Sequence, residues 1–127
     1  MSNNNKRPIF LELYRIRFPV TAVTSMAHRI SGVLLFLALP VCIYLLDMSL
    51  SGPEGFATAK AALHGFGMRM FLVAVLWALS HHVLAGIRFL LLDLDRGATL
   101  AEAVRSARTV NLVGLTAAVL AAGWLLL

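Results

Sequence analysis

The chain has 127 residues, of which 60% are hydrophobic before glycine is counted and only 13% are charged. A typical soluble domain is about 45–50% apolar with glycine included and about 25% charged, and a chain this short has too much surface to hide such a surplus from water. This balance excludes a soluble globular domain and also a disordered chain, which needs low hydrophobicity. A net charge of +5 on so oily a sequence fits basic residues flanking a membrane and not nucleic-acid binding.

Three stretches free of Lys, Arg, Asp and Glu approach or reach bilayer length: Ile30 to Leu46, Met70 to Ile87 and Thr109 to Leu127. A spanning helix needs roughly 20 apolar residues, and the absence of period-two alternation indicates helix over strand. The first helix is expected to begin just after Pro19. Within it Pro40 cannot donate to the carbonyl of Phe36, which predicts a kink. The turn cluster Ser51-Gly52-Pro53-Glu54-Gly55 stops that helix, and Phe56 to Phe66 can form a short amphipathic helix on the outer surface. Ahead of the third span Thr99 and Glu102 match a capping box, so that helix is expected to start near Leu100. Gly114, Ala118 and Ala122 then make a small-residue stripe suited to close helix packing. The expected layout is one all-α transmembrane domain, 1–127, with a cytoplasmic segment at 1–20 and spans at about 21–50, 68–92 and 103–127. No cleavable signal peptide is expected, because the first apolar run is long and far from the N-terminus.

The basic residues set the orientation. Lys6, Arg7, Arg15, Arg17 and Arg29 precede the first span, and Arg88, Arg96, Arg105 and Arg108 lie between the second and third. Only Lys60 and Arg69 separate the first from the second. The positive-inside rule puts the N-terminus and the second loop in the cytoplasm and the C-terminus outside.

The informative residues are the few that cost free energy in lipid. His81 and His82 lie roughly 18 Å of helix rise from the outer end of the second span, in the cytoplasmic half of the membrane. Ionisable groups at such depth usually face the bundle interior and carry function; the alternative is a histidine merely hydrogen-bonded to a neighbouring helix. Gly86 follows His82 by one turn on the same face and could leave room for a flat ligand, or could merely let helices approach. Neutral imidazole is a common haem-iron ligand. Haem propionates call for cations near the membrane surface, where Arg29 and Arg88 stand; either could instead snorkel. Ser25, His28 and Arg29 at i, i+3 and i+4 share one face of the incoming helix, fit to hydrogen-bond a small polar head group or a lipid headgroup. His64 reads as solvated in the outer loop. Cys42, the sole cysteine, leaves no disulfide framework and no cysteine-built metal site within the chain.

The run Arg7-Pro8, Ile16-Arg17-Phe18-Pro19, Thr21-Ala22, Ser25 and His28-Arg29-Ile30-Ser31-Gly32 resembles the cytochrome b membrane-anchor subunit of succinate dehydrogenase. Ser51 to Phe56, His82-Val83-Leu84-Ala85-Gly86-Ile87-Arg88 and Asp93 continue the likeness, which covers about residues 7–108. The resemblance implies a three-helix subunit in the bacterial inner membrane, packed against a second small membrane-anchor subunit. Together they would hold a flavoprotein subunit and an iron–sulfur subunit, with electrons passing from succinate to ubiquinone. It implies that His82 is one axial ligand of haem b, the other coming from the partner anchor. It places Ser25 and Arg29 at the quinone site and His28 and Arg29 by the haem propionates. His81 departs from relatives that carry an aromatic or apolar residue there, and Phe89 stands where some carry histidine. The chain has no nucleotide-binding glycine pattern and no iron–sulfur cysteine set, so succinate chemistry belongs to another chain. The competing readings are the anchor of a fumarate reductase and a haem-free structural anchor.

Overall fold

A computed structural model describes residues 18–127, and every described element is helical: α1 Val20–Leu50, α2 Pro53–Leu63, α3 Phe66–Asp93 and α4 Leu100–Leu126. The basic residues Lys6, Arg7, Arg15 and Arg17, and the opening of the family-like run, lie outside the described residues.

The local chemistry at each helix end explains its position. Pro19 is extended (φ −63°, ψ 149°), and its carbonyl accepts the amides of Ala22 and Val23 at 2.9 and 3.2 Å, opening α1. The helix runs unbroken through Pro40 to Leu50. Gly52, at φ +122°, turns the chain in a region that side-chain-bearing residues avoid. Pro53 then occupies the first turn of α2, where its missing N–H costs nothing, so the short helix starts three residues before Phe56. Thr99 caps α4: its hydroxyl accepts the Glu102 amide at 3.4 Å and donates to the Glu102 carboxylate at 2.6 Å. The expected cap is therefore present, but the glutamate closes onto the hydroxyl and not onto the backbone amide.

The three long helices have 31, 28 and 27 residues and enough apolar character to cross a membrane. Each exceeds the roughly 20 residues needed to span, so tilt or protruding ends absorb the excess. α3 is central, packing on both α1 and α4, while α1 also touches α4. Among the described residues the buried apolar side chains are only alanines and one valine: Ala38, Ala59, Ala78, Ala85, Ala107 and Val110. The large apolar side chains, such as Phe36, Leu90 and Trp124, face outward. Small residues inside and oily ones outside is the arrangement expected where lipid is the solvent and close backbone approach drives packing. The polar groups Thr24, Ser31, His81 and Arg88 are buried in the same interior.

Candidate functional site

Successive residues on a helix point about 100° apart, and α3 uses this to send its two histidines to different neighbours. His82 faces α1. Its Nδ1 lies 3.1 Å from the backbone carbonyl of His28 and 3.1 Å from Ser31 Oγ, and the Ser31 hydroxyl donates to the same carbonyl at 2.8 Å. A carbonyl can only accept, so the bond to His28 requires the proton on His82 Nδ1. With the Ser31 proton committed to that carbonyl, Ser31 Oγ accepts from the same Nδ1–H. This tautomer leaves Nε2 with its lone pair free, and no hydrogen bond among the described residues engages it.

The His28 ring stacks on His82, with centroids 4.1 Å apart and planes 9° from parallel, and Phe89 meets the His28 edge at 5.2 Å. Gly86 lies beneath: a Cβ there would come 3.7 Å from His28 Nε2, an ordinary contact. The His28 imidazole thus lies at contact distance from the Gly86 position that the sequence suggested for a flat ligand. The tight glycine is Gly32, where a Cβ would stand 3.0 Å from His82 Cε1. Its absence is what lets the imidazole lie against α1.

His81 turns the other way and is 2% exposed. Its Nε2 bonds Asn111 Oδ1 on α4 at 3.1 Å, and Thr24 Oγ1 on α1 reaches the same oxygen at 3.1 Å. Gly114 permits this approach, since a Cβ there would lie 3.3 Å from His81 Cβ and Cδ2. His81 Nδ1 is buried without a partner among the described residues. Asn111 escaped the sequence reading, although an amide in the middle of a spanning helix is itself a signal.

Arg88 neither snorkels nor turns toward the histidines. It is 6% exposed, and its Nε donates to Ser106 Oγ and its Nη2 to the Ala103 carbonyl, each at 3.0 Å, tying α3 to α4. Ser25 is half-buried and Arg29 exposed, and neither side chain makes a hydrogen bond among the described residues. Arg29 borders an apolar crevice with Ile30, Val33 and Leu34. Of the three residues that share this face of α1, only His28 is brought onto α3. Among the described residues no three His, Cys, Asp or Glu side chains could together hold a metal ion. His64 is exposed, 3.3 Å from an Arg69 Nη2.

Residues 3–122 match the family described as succinate dehydrogenase/fumarate reductase transmembrane subunit. The chain is 38% identical over 123 residues to a succinate dehydrogenase cytochrome b556 subunit of Coxiella burnetii, covering 96% of this chain and 98% of the relative. It is 30% identical over 118 residues to the subunit of the same name from Paracoccus denitrificans, covering 93% and 91%. A third, from Rickettsia felis, is 28% identical over 110 residues, covering 87% and 80%. Together with three membrane-length helices around a buried polar seam, these matches make the chain a member of the succinate dehydrogenase/fumarate reductase transmembrane subunit family.

Proposed function

We propose that this multi-pass chain anchors a succinate:quinone oxidoreductase in a bacterial cytoplasmic membrane, carries one ligand of a haem b and contributes to the ubiquinone site. The observation that carries the reading is the His82 tautomer: with Nδ1–H held by the His28 carbonyl and Ser31, Nε2 is presented as a neutral donor, the form a haem iron takes. The donor set therefore fits the group, and a second histidine would come from a second small anchor subunit. When bound, the haem supplies one-electron redox chemistry. His28 and Arg29 would meet its propionates, and Arg29 is exposed at the same helix end.

Ubiquinone is the substrate. The Ser25 hydroxyl would donate to a quinone carbonyl, and Arg29 would stabilise the negative charge that develops on reduction. Support comes from Ser25 being half-buried and Arg29 exposed on the α1 turn that also carries His28. The flavoprotein and iron–sulfur subunits would deliver electrons from the side bearing the N-terminus and the α3–α4 loop.

The test is a reduced-minus-oxidised absorbance spectrum of the purified complex. A b-type signal is expected in the wild type, strongly reduced in His82→Ala and largely kept in His81→Ala; equal haem retention in the two variants would defeat the ligand assignment. Ser25→Ala should slow quinone reduction about tenfold or more, the loss of one preorganised donor, and leave succinate oxidation by a soluble acceptor intact. A parallel fall in both activities would remove Ser25 from the quinone site.

A further inference from the structure

We infer that Ser31 is a positioning residue for the His82 imidazole and sets the redox poise of the group it binds. The inference rests on the reading of His82 as an axial ligand. Ser31 is 0% exposed and lies at the contact of α1 with α3. Its hydroxyl has one proton, and the shortest bond available, 2.8 Å to the His28 carbonyl one turn back, takes it. The remaining lone pairs face His82 Nδ1 at 3.1 Å. The imidazole N–H is therefore shared between two oxygens on one turn of α1: a main-chain carbonyl that no substitution removes and a side-chain hydroxyl that one can.

Two consequences follow from acid–base chemistry. First, both acceptors disfavour the Nε2–H tautomer, which could not ligate a metal through Nε2. Second, drawing on the Nδ1 proton gives the ring more imidazolate character and raises the basicity of Nε2. A more basic ligand favours ferric over ferrous iron, so Ser31 holds the potential down. Gly32, directly after it, keeps the ring close enough for both bonds, since a Cβ there would press on His82 Cε1 at 3.0 Å. The hydroxyl could have satisfied itself locally, as Ser49 and Ser51 do on their i−3 carbonyls. Ser31 differs from them in facing a histidine with its second function.

The experiment is a spectroscopic redox titration of the assembled complex in membranes, comparing wild type, Ser31→Ala and Ser31→Thr. Alanine suits a helix interior, so the fold is retained. Ser31→Ala should keep the b-type signal and raise the midpoint potential, favouring the reduced state about threefold, which is roughly 30 mV at 59 mV per tenfold for one electron. Ser31→Thr, which keeps the acceptor, should titrate near wild type. Loss of the signal from Ser31→Ala with retention in Ser31→Thr would also support the role. An unchanged potential in Ser31→Ala with haem in place, or a loss of haem from both variants, would overturn it. Absence of haem from the wild type, or full retention in His82→Ala, would instead overturn the ligand reading on which it rests.

Discussion

At the scale of single residues, the distance between a hypothetical Cβ and an imidazole separates two glycines that look alike in sequence. Gly32→Ala would place a carbon 3.0 Å from His82 Cε1, so the ring must move, and the bonds from Nδ1 to Ser31 and His28 lengthen with it. Gly86→Ala meets His28 Nε2 at 3.7 Å and displaces nothing. Haem content per assembled complex, measured from the alkaline pyridine spectrum, should fall severalfold in Gly32→Ala and stay near wild type in Gly86→Ala. The sequence invited the opposite emphasis, because an empty position one turn from His82 looks like room for a ligand. What stands beside Gly86 is the His28 ring from another helix, which no local pattern records. The His28 carbonyl is equally silent: every residue has one, and only the helix crossing reveals which is used. By contrast, the divergence of His81 from His82 follows from helix geometry alone, and the structure gives each its own partner.

At the scale of the helices, α3 is joined to its neighbours by polar as well as apolar contacts. His81 and Arg88 reach α4, and His82 reaches α1, all from one helix. In a bilayer the apolar surface gains little by leaving lipid, so such bonds and the close approach at Ala78, Ala85, Ala107 and Gly114 must hold the bundle. Arg88→Leu removes the two hydrogen bonds from α3 to Ser106 and Ala103, leaving only the bond within α4 from the Ser106 hydroxyl to the Ala103 carbonyl. At about 0.6–1.7 kcal/mol for each interhelical bond, the loss is roughly 1–3 kcal/mol. Thermal unfolding of the detergent-solubilised complex should show a lowered midpoint, and an unchanged one would mean the guanidinium is not holding α3 to α4. Arg88→Lys should recover little, because a single ammonium lacks the fork that serves both oxygens. The starts of α1 and α4 were readable in advance, at Pro19 and Thr99, because caps and proline act over three or four residues, whereas Pro53 read as part of the turn and in fact opens α2. The rotation of Arg88 toward α4 was not readable, because it depends on where α4 lies.

At the scale of the whole molecule, length and apolar content were enough to foresee three membrane helices, since a bilayer demands both of any chain that crosses it. The orientation rests on charge. Arg88, Arg96, Arg105 and Arg108 cluster at the end of the bundle where α3 meets α4, whereas Lys60 and Arg69 flank the α2–α3 turn. In a variant with Cys42 replaced by alanine, a single cysteine at position 96 should react with an impermeant maleimide only after the cytoplasmic face is opened, and one at position 60 in intact spheroplasts. The reverse pattern would invert the assignment.

The division of α3's partners between two helices also gives the chain a schedule. A membrane protein is threaded into lipid in order, and each helix can bond only to those already beside it. Thr24 and Ser31 enter first with α1, and Ser31 has His82 for a neighbour as soon as α3 arrives. His81 and Arg88 must wait, because Asn111, Ser106 and Ala103 belong to α4, which follows α3 in the chain. The adjacent histidines are therefore satisfied at different moments of biosynthesis. The one facing α1 is set first, and α4 closes the bundle behind it.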